Sequence, residues 1–180
     1  MIVLYLSTFQ TTAVILFPAI LLISGIMLQF FLLRKVETVD SVFQEETAWN
    51  IGYYTLVALA GIGLGNLISP ALAKATPIQK MQLTGMDALL YSVLIAIAEE
   101  QFFRGAITNF LLTMLPPSMA ILGSAAIFTA YHLAVYGTEL SALIYVFVGG
   151  AVLAFVAYRS GRLSPSILAH CLNNILSFVR

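Results

Sequence analysis

The chain has 180 residues, of which 61% are hydrophobic and 9% charged, with eight acids, eight bases and a formal net charge of zero. A soluble domain carries about 25% charged residues, and so few charges cannot cover the surface of so apolar a chain. A soluble globular domain, a disordered chain and a nucleic-acid-binding protein are excluded, the last because the bases are few and scattered. What remains is an integral membrane protein built as a single domain over residues 1–180. Cys171 is the only cysteine, so no internal disulfide exists. No basic segment precedes the first apolar run, which is longer than the roughly 7–15 residues of a secretory leader.

A helical span needs about 20 mainly apolar residues. The first predicted span is 2–33, with Pro18 inside it as an expected kink. A polar loop, 34–50, follows with Arg34, Lys35, Glu37, Asp40, Glu45 and Glu46. Trp49, Tyr53 and Tyr54 close it as an interfacial aromatic belt. The second span is 51–73, where Gly61 and Gly65, one helical turn apart, suit close helix packing. Beyond a linker with Lys74, Pro77 and Lys80, Asp87 is expected at the N-cap of the third span, 87–115, which Pro116 and Pro117 stop.

The fourth span, 118–136, has a slim face at Gly123, Ser124, Ala125 and Ala126. The fifth, 139–158, is interrupted by Gly149 and Gly150, and the sixth, 164–178, is short, with Pro165 in its first turn. The expected fold is an all-α, polytopic transmembrane bundle of about six spans, without strands or an internal repeat. With the N-terminus outside, Arg34, Lys35, Arg159 and Arg162 fall inside and Lys74, Lys80 and Arg180 outside. That bias is too small to fix the orientation.

The informative residues are charges in the wrong solvent. Glu99, Glu100 and Arg104 fall inside the third span, Glu99 about 18 Å along it from Asp87 at a rise of ~1.5 Å per residue. An acid at this depth costs at least ~2.5–3.5 kcal/mol, so two adjacent ones need a reason. Glu100 and Arg104 are one turn apart, acid first, the favourable order for a helical ion pair. Glu99 has no such partner, because Phe103 occupies the corresponding position. It must protonate, meet water or find a partner on another helix. The two histidines both lie in predicted spans: His132 in the fourth, one turn after Phe128, and His170 in the sixth, one turn before Asn174.

Taken singly, each has a structural reading. The Glu100–Arg104 pair is glue, a lone intramembrane histidine or asparagine joins helices, and Cys171 with the neighbouring aromatic residues is core. Taken jointly, an acid, both histidines and an amide gather on three successive helices. A carboxylate beside an imidazole can hold and deprotonate water. A second imidazole with an amide can stabilise an oxyanion, worth roughly 3–4 kcal/mol per donor. Alternatively, two histidines and a glutamate form a zinc ligand set. Both schemes are hydrolytic. His-Glu-x-x-His, Gly-x-Ser-Gly and Gly-x-Gly-Asp are all absent from the sequence.

These residues also carry a resemblance. Glu99-Glu100-Gln101-Phe102-Phe103-Arg104 reads Glu-Glu-x-x-x-Arg, Phe128 to His132 reads Phe-x-x-x-His, and His170 to Asn174 reads His-x-x-x-Asn. In this order on successive apolar helices they resemble the CPBP family, the CAAX prenyl endopeptidases and their prokaryotic relatives linked to bacteriocin processing and immunity. The match spans 87–178, the expected catalytic core. The resemblance implies an all-helical intramembrane glutamate protease of a prokaryotic plasma membrane. Glu99 is then the base, His132 its partner in activating water, His170 and Asn174 the oxyanion site, and Arg104 the holder of Glu100. Family members have been labelled metalloproteases. The metal-free scheme is preferred here, because Asn174 one turn from His170 suits an oxyanion site better than a zinc shell. The expected substrate is a peptide or protein at the membrane, with or without a lipid modification. A non-catalytic immunity or scaffold protein and a proton-linked transporter are the rival readings, the latter lacking the inverted repeat it calls for.

Overall fold

Residues 2–33, 48–68 and 85–179 are described by a computed structural model, and among them every regular element is a helix. Helix α1 is Ile2–Leu33 and α2 is Ala48–Ile68. Helix α3 runs without a break through three pieces: Gly85–Glu99 in α geometry, Glu100–Thr108 in π geometry and Asn109–Leu112 in α geometry. Then come α4 (Pro117–Tyr136), α5 (Leu140–Ser160) and α6 (Ser164–Val179). The polar loop with its six charges and the linker with Lys74, Pro77 and Lys80 lie outside the described residues, as does the end of the expected second span.

The ends of the helices follow from local chemistry. Pro116 is extended and Pro117 sits at the first turn of α4, where its missing N–H costs nothing. Gly137, at φ 61°, closes α4 and its N–H bonds the Leu133 carbonyl at 2.8 Å, while Gly161, at φ 68°, ends α5. A side chain resists both conformations. Asp87 lies inside the first turn of α3, not at its N-cap, where its charge still complements the helix dipole. Gly149 and Gly150 do not interrupt α5. The missing Gly150 side chain instead admits Phe128 and Ala125 of α4 against the α5 backbone. Helix α1 likewise continues through Pro18.

Packing is that of a bundle turned inside out. Long apolar side chains such as Phe30, Phe31, Met27 and Leu56 point outward, and Glu99, Glu100, Arg104, His132 and His170 are buried. One apolar cluster joins α2, α5 and α6 through Ala58, Ile62, Leu153, Val156 and Ala169. A second joins α3, α4 and α5 through Phe103, Phe128 and Val146. Segments Ile15–Leu32, Pro117–Tyr136 and Leu140–Ser160 are each long and apolar enough to cross a membrane, and Trp49–Leu64 is apolar but shorter. Helix α3 misses that description because of its central charges and α6 because it has only 16 residues. Those two helices carry most of the chemistry.

Small residues set the closest approaches. A Cβ on Gly61 of α2 would meet the Val152 side chain of α5 at 2.8 Å, and one on Gly25 of α1 would meet the Phe102 backbone of α3 at 2.9 Å. The surroundings of Gly65 fall outside the described residues. Gly25→Ala is expected to cost about 1–3 kcal/mol through overpacking, more than the ~1 kcal/mol that alanine adds to a helix. Gly63→Ala, where nothing lies within 4 Å, is expected to be neutral or mildly stabilising. Unfolding of both variants in mixed detergent checks the contrast.

Candidate functional site

Glu99 is the last residue of the α-helical part of α3 and Glu100 the first of the π stretch. The wider winding brings the Thr108 side chain back over the Phe103 carbonyl, five residues earlier. Thr108 donates to that carbonyl at 2.9 Å, and its hydroxyl oxygen lies 2.7 Å from that of Ser124 on the slim face of α4. The segment bearing both acids is thereby tied to α4, and its backbone at Gln101 and Phe102 is pressed against Gly25 of α1. Gln101 also donates across that contact to Gln29.

The ion pair read from spacing is present and extends further. Arg104 Nη1 donates to Glu100 Oε1 at 3.0 Å, with the two residues 1% and 0% exposed. Arg104 Nη2 donates to the Gly150 carbonyl of α5 at 3.0 Å, and the guanidinium stands 4.4 Å from the Phe128 ring centroid. The same Glu100 Oε1 accepts from His170 Nδ1 at 2.7 Å. The Glu100–Arg104 pair therefore joins three helices, not one. Among the described residues, Glu100 Oε2 and Arg104 Nε are buried without a hydrogen-bond partner of good geometry.

Both histidines face Glu99. His170 Nε2 is 3.6 Å from Glu99 Oε2, and His132 Nε2 is 4.0 Å from Glu99 Oε1. The ring orientations follow from the opposite nitrogens. His132 Nδ1 is 2.9 Å from the Phe128 carbonyl, which only accepts, so the proton sits on Nδ1 and Nε2 presents a lone pair. His132 is walled by Phe128 at 4.3 Å, by Tyr131 at 5.1 Å and by Tyr136, stacked at 6.0 Å. The Tyr131 hydroxyl interacts with the Glu99 carboxylate. Asn174 lies one turn beyond His170, and its Nδ2 donates to the Ser92 carbonyl of α3 at 3.4 Å.

Glu99, Glu100, Arg104, His132 and His170 thus form one buried cluster, and Asn174 occupies the same α3–α6 seam one turn away. Among the described residues no group of three His, Cys, Asp or Glu side chains is arranged to hold a metal ion. The two imidazoles each approach a different oxygen of Glu99. An arrangement of this kind can hold a water between a carboxylate and an imidazole lone pair, and so act as a general base.

Three parts of the site escape a reading of spacing. Tyr131 is one, although its place directly before His132 is a local cue. The Gly150 carbonyl and the bond between Glu100 and His170 are the others, and they link residues 46 and 70 positions apart. A family profile described as type II CAAX prenyl endopeptidase, Rce1-like, matches residues 82–176. No curated protein and no solved structure matches the chain.

Arg104→Met leaves the Glu100 carboxylate buried without its guanidinium and is expected to cost about 3–5 kcal/mol. The double variant Glu100→Leu with Arg104→Met is expected to regain part of that loss, because neither charge is then stranded. Equilibrium unfolding of the single and double variants measures the coupling.

Proposed function

The chain belongs to the type II CAAX prenyl endopeptidase Rce1-like family, a family of proteases, and from that premise we propose that it is a multi-pass intramembrane endopeptidase using a glutamate-activated water. The matched stretch contains all three motifs, in agreement with the resemblance they carry. The observation that supports the reading best is the placement of one imidazole Nε2 beside each oxygen of Glu99.

The 4.0 Å between Glu99 Oε1 and His132 Nε2 is a gap that one water spans with two hydrogen bonds of about 2.8 Å. Glu99 takes a proton from that water as its oxygen adds to the scissile carbonyl. His132 holds the second proton side of the water, its ring fixed by the Phe128 carbonyl. The tetrahedral oxyanion is met by His170 and Asn174. Asn174 spends one N–H on Ser92 and keeps its second for the oxyanion. His170 has its Nδ1–H committed to Glu100, so donation from Nε2 requires a second ring proton. With Glu99 and Glu100 negative and Arg104 positive, that proton brings the buried cluster to neutrality. As the intermediate collapses, Glu99 returns its proton to the departing amine, and the C–N bond breaks.

The scheme is metal-free and needs no cofactor. Asn174, one turn from His170, suits an oxyanion site better than a zinc shell. The substrate is a peptide or protein segment at the surface of a prokaryotic plasma membrane, with or without a lipid modification, and nucleic acid plays no part. Residues 87–178 form the catalytic core of a single membrane domain, 1–180.

With purified protein and a membrane peptide substrate, Glu99→Gln and His132→Ala are each expected to lower kcat at least ~10²-fold. His170→Ala and Asn174→Ala are expected to lose about 10²–10³-fold. Wild-type rates in the first two would leave the non-catalytic immunity or scaffold role. Stoichiometric zinc, lost together with activity on chelation, would replace the metal-free scheme by a zinc-dependent one.

A further inference from the structure

The two adjacent acids of α3 are held differently. Glu100 Oε1 accepts two direct hydrogen bonds, at 3.0 and 2.7 Å. The imidazoles that face Glu99 stand at 3.6 and 4.0 Å, beyond the reach of a direct bond. Both terminal nitrogens of Arg104 are committed to Glu100 and to the Gly150 carbonyl. A long side chain such as glutamate keeps several rotamers until a contact fixes it. A general base must hold its working geometry to within about 0.5 Å. The group placed to fix Glu99 is the hydroxyl of Tyr131, which interacts with its carboxylate.

Packing delivers that hydroxyl. Tyr131 directly precedes His132 on α4, and the two rings meet edge to face at 5.1 Å. The Tyr131 ring also lies 5.3 Å from that of Phe103, tilted by 55°. Phe103 is buried one turn beyond Glu99 on α3. Helical side chains lean toward the N-terminus of their helix, so a ring seated on Phe103 lies beside the Glu99 side chain. Ring contacts to α3 and to His132 thus fix the direction of the phenol. We propose that Tyr131 is the positioning residue of Glu99, its hydroxyl donating to the carboxylate and holding it toward the water shared with His132. This role rests on the peptidase reading above, in which Glu99 is the base. A neutral donor suits it. A carboxylate offers about four acceptor sites, so one phenol O–H leaves the others for water and His170. A guanidinium in the same place would pair with the acid as Arg104 pairs with Glu100.

Tyr131→Phe deletes the hydroxyl and keeps the ring. With the full chain and a membrane peptide substrate, it is expected to lower kcat about 10-fold and leave KM within about twofold, as for one lost hydrogen bond to a charged group. Difference infrared spectroscopy supplies a readout that needs no substrate. The Glu99 carboxyl band, identified by its disappearance in Glu99→Gln, is expected to shift in Tyr131→Phe. 3-Fluorotyrosine at position 131 keeps the ring and carries a more acidic hydroxyl, and it is expected to move the same band while retaining kcat within about threefold of wild type. An unmoved band in the fluorotyrosine protein would overturn the role even where Tyr131→Phe fails to fold. Wild-type kcat in Tyr131→Phe beside an inactive Glu99→Gln, or a loss confined to KM, would overturn the role of Tyr131 alone. A fully active Glu99→Gln would overturn the base itself, and this role with it.

Discussion

Oxygen Oε1 of Glu100 accepts from Arg104 of its own helix and from His170 of α6, and the bundle around it follows from that shared bond. A buried carboxylate is tolerable only when paired and hydrogen-bonded, so Arg104 and His170 must both reach it. Arg104 in turn needs an acceptor for its second amino group, and finds it at the Gly150 carbonyl. The absence of a side chain there is what lets α4 pack against the same point of α5. One charge placed in an apolar environment thereby fixes the relative positions of α3, α5 and α6.

Neutralising Glu100 leaves Glu99 as the acid without a partner on its own helix. It is surrounded by groups whose orientation is determined elsewhere. His132 is turned by the Phe128 carbonyl and His170 by Glu100, so each presents Nε2 to the carboxylate. The difference between the adjacent acids is thus a matter of partners: Glu100 Oε1 is paired with Arg104 and His170, and Glu99 faces two imidazoles. The π winding over Glu100–Thr108 fits this role, since it changes the pitch where the two acids, Arg104 and the α1 contact must all be accommodated. Such segments recur at functional sites.

Much of the site was legible because its members are chemically out of place. Glu99, Glu100 and Arg104 stand out in an apolar run, and the spacing from Glu100 to Arg104 and from His170 to Asn174 is that of one helical turn. The ion pair is local, and local geometry suffices to read it. The bond from Glu100 to His170 is not local, and neither its existence nor the ring orientation it imposes follows from any spacing. Gly149 and Gly150 show the opposite error. As residues they signal a break, yet α5 continues, because packing against α4 and the Arg104 hydrogen bond outweigh the weak helix propensity of glycine.

By itself the sequence determined the solvent, the all-helical class and the identity of the residues that cannot be lipid-facing. Those properties depend on composition and on periodicities that act over a few residues. It also determined that one acid of the pair would be spoken for by Arg104. Only the tertiary structure decided which oxygen each histidine addresses, that Glu100 serves α6 as well as α3, and that the third helix is wound as a π-helix beneath Gly25. These are outcomes of several helices competing to satisfy the same buried groups. Such a competition has no counterpart along a single chain segment, because its terms are distances between residues far apart in sequence.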